Sequence, residues 1–170
     1  MIMERKPLVE HFSEEPFAFQ FFQAVRLLER INRERKPVGG EALPDEEIVR
    51  FRSHIGLDFP ASEIQEINRS VNESGQETTE MVVNFMGMVG VSGVLPTHYT
   101  ELVMDRIRHR DSTLWAFLDI FTHRAVSLFY RAWGKYRFPV AYERGNDDFT
   151  GFLFDFVGLG SKGLRGRMSL

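Results

Sequence analysis

The sequence predicts an α+β fold: an N-terminal amphipathic helix, a small antiparallel sheet or hairpin, then long apolar helices. Three observations carry this. Apolar residues recur at helical spacing over 16–31 and again over 111–133. Between them, IVRFRS and MVVNF read as strands. Helix, strands and helices follow one another in blocks, which favours α+β over an alternating α/β chain.

The elements follow in order. PFAFQFFQAVRLLERI, 16–31, places Phe17, Phe21, Val25, Leu28 and Ile31 on one helical face, with Ser13 or Glu14 as its cap and Pro16 in its first turn. NRERKPVGGEALPDEE is a charged loop with two glycines and two prolines. In 48–53, Val49 and Phe51 alternate with Arg50 and Arg52, a half-buried strand. LDFPASEI is an extended turn. Residues 63–71 and 78–85 read as strands joined through the polar loop NESGQET, with a helix over 62–68 still open because Ile64 and Ile67 are three apart. GMVGVSGVLP sets Gly87, Gly90 and Gly93 three apart and ends at Pro96; Thr97 then caps a helix over 98–110. Residues 111–133 form a long apolar helix capped by Asp111 or Ser112. YRFPVAYERG is extended, since Pro139 disfavours a helix. DDFTGFLFDFVGLG forms a short helix ending at Gly158 or Gly160, and the tail SKGLRGRMSL is basic.

At 170 residues the chain has the length of a single domain, 1–170. Its 16 phenylalanines are a large apolar load to bury in a core or an interface. With 21 basic and 24 acidic residues, the net charge of −3 points to neither nucleic acid nor an anionic membrane. The absence of cysteine excludes disulfides, thiolate metal sites and a cysteine nucleophile, and suits the cytoplasm. MIMERKPLVEHF lacks the apolar segment of a signal peptide, and no apolar run is long enough to span a bilayer.

The helix 111–133 carries Asp119, His123 and Ser127, each four residues from the next, on one face. One reading is a hydrolase using Asp119 and His123. Against it, a mid-helix serine has no free backbone N–H groups for an oxyanion, and Arg131 continues the same spacing. A narrow polar ridge on a helix packed on most sides explains the pattern better. A nucleotide-binding module using the 87–97 glycine loop is a second alternative. That loop matches no phosphate-binding motif, and Val94-Leu95-Pro96 is apolar, so the structural reading of Gly87, Gly90, Gly93 and Pro96 is preferred. The five histidines show no metal-binding spacing, so no metal and no cofactor is expected. What remains is an excess of aromatic surface. Trp115, Phe121, Phe129, Tyr130, Arg131 and Trp133 are therefore candidate partner-interface anchors.

FFQAVRLLER, VRFRSHIGLDFPASEI, VNFMGMVGVSGVLPTHYTELV and FLDIFTHRAVSLFYRAW occur in that order, and FVGLGSKGLRGR follows at 156–167. In this combination the chain resembles the TssG family, also called ImpH or VasB, baseplate subunits of the bacterial type VI secretion system. Met86, Met88 and Val91 stand where the family more often has Leu, Phe and Pro. The resemblance implies a structural protein of the contractile injection system, cytoplasmic and without catalysis. It implies assembly into a wedge with two copies of a TssF-type subunit, and contact with a TssK-type adaptor. It also implies that the chain is roughly the N-terminal half of a longer subunit, with 156–170 running on into a C-terminal region.

Overall fold

The computed structural model describes residue 12 and residues 14–43, 46–71, 77–145, 147–161, 163 and 164. Ser13, most of the NESGQET loop and the end of the basic tail lie outside the described residues. The chain divides into two compact units, Met1–Arg131 and Ala132–Leu170.

The first unit opens with a 3-10 turn, Pro16–Ala18, followed by helix α1, Phe21–Ile31. The helix thus begins five residues later than the predicted 16. Phe19 interrupts it with extended backbone, φ −109° and ψ 137°, and its ring packs on Phe12 at 4.5 Å. No local side chain caps α1. The carboxylate of Glu63 accepts the Phe21 N–H at 2.7 Å, placing negative charge at the helix N-terminus. Phe21, Ala24, Val25 and Leu28 are buried, while Phe17 and Ile31 are exposed.

Three strands follow: β1 Arg50–Ser53, β2 Ile64–Val71 and β3 Glu77–Val83. Their spatial order is β1-β3-β2. The sheet is mixed rather than antiparallel: β2 and β3 pair antiparallel, but β1 runs parallel to β3, Phe51 opposite Met81 and Ser53 opposite Val83. Residues 64–71 are strand, which removes the helical alternative for 62–68. Phe21 joins α1 to the sheet by packing on Phe51 at 5.5 Å and Phe85 at 4.8 Å.

Helix α2 spans Thr97–Arg108, and its N-cap is Pro96 rather than Thr97. Helix α3 spans Thr113–Lys135, two residues later at each end than predicted. Asp111 lies outside it, and its Oδ1 accepts the Thr113 N–H at 3.0 Å. That bond holds the Asp111 carboxyl below its ordinary pKa. Buried Leu118, Val126 and Tyr130 lie on one face of α3, and Leu118 packs with Val89 and Val103.

In the second unit, Phe138–Glu143 form helix α4 where extended chain was expected. Pro139 sits in its first turn, where a missing N–H costs nothing and the fixed φ suits a helix. Helix α5, Asp148–Phe156, has Asp147 as N-cap, its carboxylate accepting from Phe149 and Thr150 N–H at 3.0 Å. The chain leaves this helix through Gly158 at φ +78°, as the sequence predicts. Among the described residues no helix is long and apolar enough to cross a membrane.

Candidate functional site

Strand backbone alternates, and that alternation sets up the most ordered polar feature of the first unit. The His54 N–H reaches Val83 O on β3 at 3.0 Å. Phe51 and Ser53, out of phase with it, turn their N–H groups away from β3. These groups lie on the outer edge of the sheet, and unpaired buried donors there would be costly.

Helix α3 supplies the acceptors. Asp119 Oδ1 accepts the Ser53 N–H at 3.1 Å and the Ser53 hydroxyl at 3.2 Å, and Oδ2 accepts Arg52 Nε–H at 2.9 Å. One turn on, His123 Nδ1 accepts the Phe51 N–H at 3.2 Å. For Nδ1 to accept, the ring proton sits on Nε2, which lies 3.4 Å from Glu47 Oε2. Glu47 Oε1 in turn accepts the Gly39 N–H at 3.1 Å. Two turns further, Arg131 Nη1 donates to Gly39 O at 2.6 Å. The fit is one of pitch. Four helical residues rise about 6 Å, and two strand residues span about 6.6 Å, so an i, i+4 ridge can read alternate amides of a strand.

Burial raises the Asp119 carboxyl above its ordinary pKa, against the opposing pull of the Ser53 N–H and Arg52. Arg52 is held in three ways. It binds Asp119, lies 3.3 Å from Glu80, and stacks 3.9 Å over the Trp115 ring.

This geometry removes the conditions for catalysis by the ridge. Asp119 is 0% exposed, His123 6% and Ser127 0%, so all three are buried among the described residues. Asp119 holds the main chain of β1 rather than the imidazole. The Ser127 hydroxyl has no hydrogen-bond partner among the described residues, and the imidazole Nδ1 is occupied by the Phe51 N–H. The sequence placed the three residues on one face; their partners 66 to 72 positions away in the chain carried no local signal.

The glycine loop is closed on itself. Gly87 and Gly93 form a parallel bridge, Val94 N–H donates to Gly87 O, and Leu95 N–H to Met88 O. The Gly90 N–H goes to Thr100 Oγ1 at 3.0 Å. These donors are spent internally rather than aimed at an anion. The cavity lined by His54, Gly56, Asp58, Val89 and Gly90 has a volume of about 10 Å³, room for a water and not for a nucleotide. Pro96 ends the loop at the α2 N-cap. No three His, Asp or Glu side chains converge as a metal site among the described residues.

The sequence-derived interface residues fall into three environments. Tyr130 is fully buried, its hydroxyl bonded to Glu29 at 3.0 Å and its ring near Phe21 and Phe22. Trp115 is half-buried beneath Arg52, and Arg131 is tied to Gly39. Phe121 and Phe129 are exposed at 49% and 40%. In the second unit, Trp133 is half-buried with Arg137 stacked 4.6 Å over it. Phe117, Ile120 and Leu128, which the sequence reading passed over, are also exposed. With Phe121 they lie at spacings of three, one and seven along α3; Phe117, Phe121 and Leu128 fall on the side away from the ridge, and Ile120 flanks it. The available signal was the ridge itself: fixing the buried face at 119, 123 and 127 leaves 117, 121 and 128 outward.

A family model described as type VI secretion, TssG, matches residues 15–170. The chain belongs to the TssG family. No curated protein and no solved structure matches it. Membership makes this chain a component of the type VI secretion baseplate.

Proposed function

We propose that the chain is a structural subunit of the baseplate wedge, assembling with TssF-type subunits, two per wedge, and with a TssK-type adaptor in the bacterial cytoplasm. On this reading it uses no metal, no cofactor and no chemistry. The observation that carries the proposal is the two-sided character of α3. One side spends its polar ridge holding β1, and the other presents Phe117, Phe121 and Leu128 to the exterior. Aromatic and aliphatic groups clustered on an exposed helix face suit burial by another subunit. Phe121, Phe129 and Trp133 are the sequence-derived anchors still open to such a role. Trp115, Tyr130 and Arg131 support it from within, by fixing α3 to its own fold. Gly87, Gly90, Gly93 and Pro96 set the angle at which α2 leaves the sheet.

The test is co-expression with the TssF-type protein of the same genome, followed by size exclusion with light scattering. A stable mixed complex is expected. Phe121→Ala or Trp133→Ala should weaken it by about 30-fold in Kd, the size of an interface hot spot. A chain that remains monomeric beside its partner, or a mixed complex that both variants form with unchanged affinity, would contradict this assignment.

A further inference from the structure

Helix α5 is nine residues long and buries none of them. Isolated helices shorter than about 12–15 residues are marginal in water, and helices in folded proteins take most of their stability from a packed apolar face. Helix α5 has neither the length nor that face. Phe149, Phe152 and Leu153 are exposed, and Phe156 is 89% exposed. Gly151 stands at mid-helix, where only proline is a poorer helix former. The printed anchors of α5 lie at its start. The Asp147 carboxylate accepts the Phe149 and Thr150 N–H groups, and the Phe149 ring meets Phe138 of α4 at 5.1 Å. Helix α4 differs in having one buried side chain, Val140.

We infer that α5 is a conformational switch built into the lone chain: beyond its capped first turn it unwinds and re-forms at equilibrium, while the three-stranded sheet stays folded. The cap fixes where the helix begins, and no burial fixes how far it runs. Segments with few buried apolar contacts open locally at a small fraction of the free energy of global unfolding. The two forms differ in the surface they present. Wound, α5 brings Phe149, Phe152 and Phe156, at spacings of three and four, around one concavity. Unwound, it has no such concavity. The population of the wound form therefore sets how much of that aromatic surface the chain offers.

The test is amide hydrogen exchange on the full chain without any partner. The Leu153, Phe154 and Phe156 amides should exchange within about tenfold of the unstructured rate, while Met81 and Val83 on β3 are protected by about a thousandfold or more. Gly151→Ala favours the wound form and should slow the α5 amides about fivefold, with β3 unchanged. Asp147→Ala removes the cap and should abolish what protection α5 has, again with β3 unchanged. Wild-type α5 amides as well protected as those of β3 would overturn the switch. So would α5 exchange that Gly151→Ala leaves unchanged, since a segment with no wound population has nothing for alanine to favour.

Discussion

At Asp119, burial and hydrogen bonding pull in opposite directions, and burial prevails. A carboxyl whose pKa is higher folded than unfolded binds its proton more tightly in the native state. Its contribution to stability is fully present below the unfolded value and is lost as pH rises through the folded one. Urea denaturation should therefore show the stability of the wild type, relative to Asp119→Asn, growing as pH falls from 7 towards 4. A constant difference across that range would mean that the Ser53 and Arg52 donors fully offset desolvation. At neutral pH, Asp119→Ala should cost about 3 kcal/mol, because it strands the buried Ser53 N–H and frees Arg52 from its closest anion. Gly90 is constrained differently. Its φ is +95°, and an added Cβ would lie 2.5 Å from His54 O, which is backbone and has little freedom to move. Gly90→Ala should cost about 1–3 kcal/mol in the same assay from strained backbone, with more from the collision.

Among elements, the features legible in sequence were those written locally. The i, i+4 ridge of α3, the alternation of β1 and the Gly158 terminus all come from spacing within a few residues. The missed features depend on partners far along the chain. No local pattern could show that β1 runs parallel to β3, because the strand it pairs with lies further along the chain, Arg50 opposite Glu80. The first turn of the predicted helix 16–31 is absent because Phe19 is extended, its ring packed on Phe12, a contact no local pattern encodes. Helix α4 was misread for another reason. Pro139 in isolation disfavours a helix, but at the start of one it is well suited. Of the ridge, the sequence put Asp119, His123 and Ser127 on one face, and it left open that Asp119 and His123 hold a strand backbone while the Ser127 hydroxyl bonds nothing among the described residues.

For the molecule as a whole, the 16 phenylalanines include a buried set and an exposed set with different consequences. Phe21 and Phe51 are fully buried and touch each other, whereas Phe117, Phe121, Phe152 and Phe156 are exposed. Helix α5 has no buried residue among those described, and Phe149, Phe152 and Phe156 line one concavity on it. If the exposed set exists for assembly, it contributes little to folding of the isolated chain. Ile120→Ser and Phe117→Ser should then change unfolding free energy by less than about 0.5 kcal/mol each, while Leu28→Ala should cost about 2–5 kcal/mol by opening a cavity in the core. The same two serine variants should weaken the chain's complex with the TssF-type partner. Urea denaturation and light scattering measure the two effects separately. Serine variants that unfold as readily as Leu28→Ala would assign the outer face of α3 to the chain's own stability rather than to a neighbour.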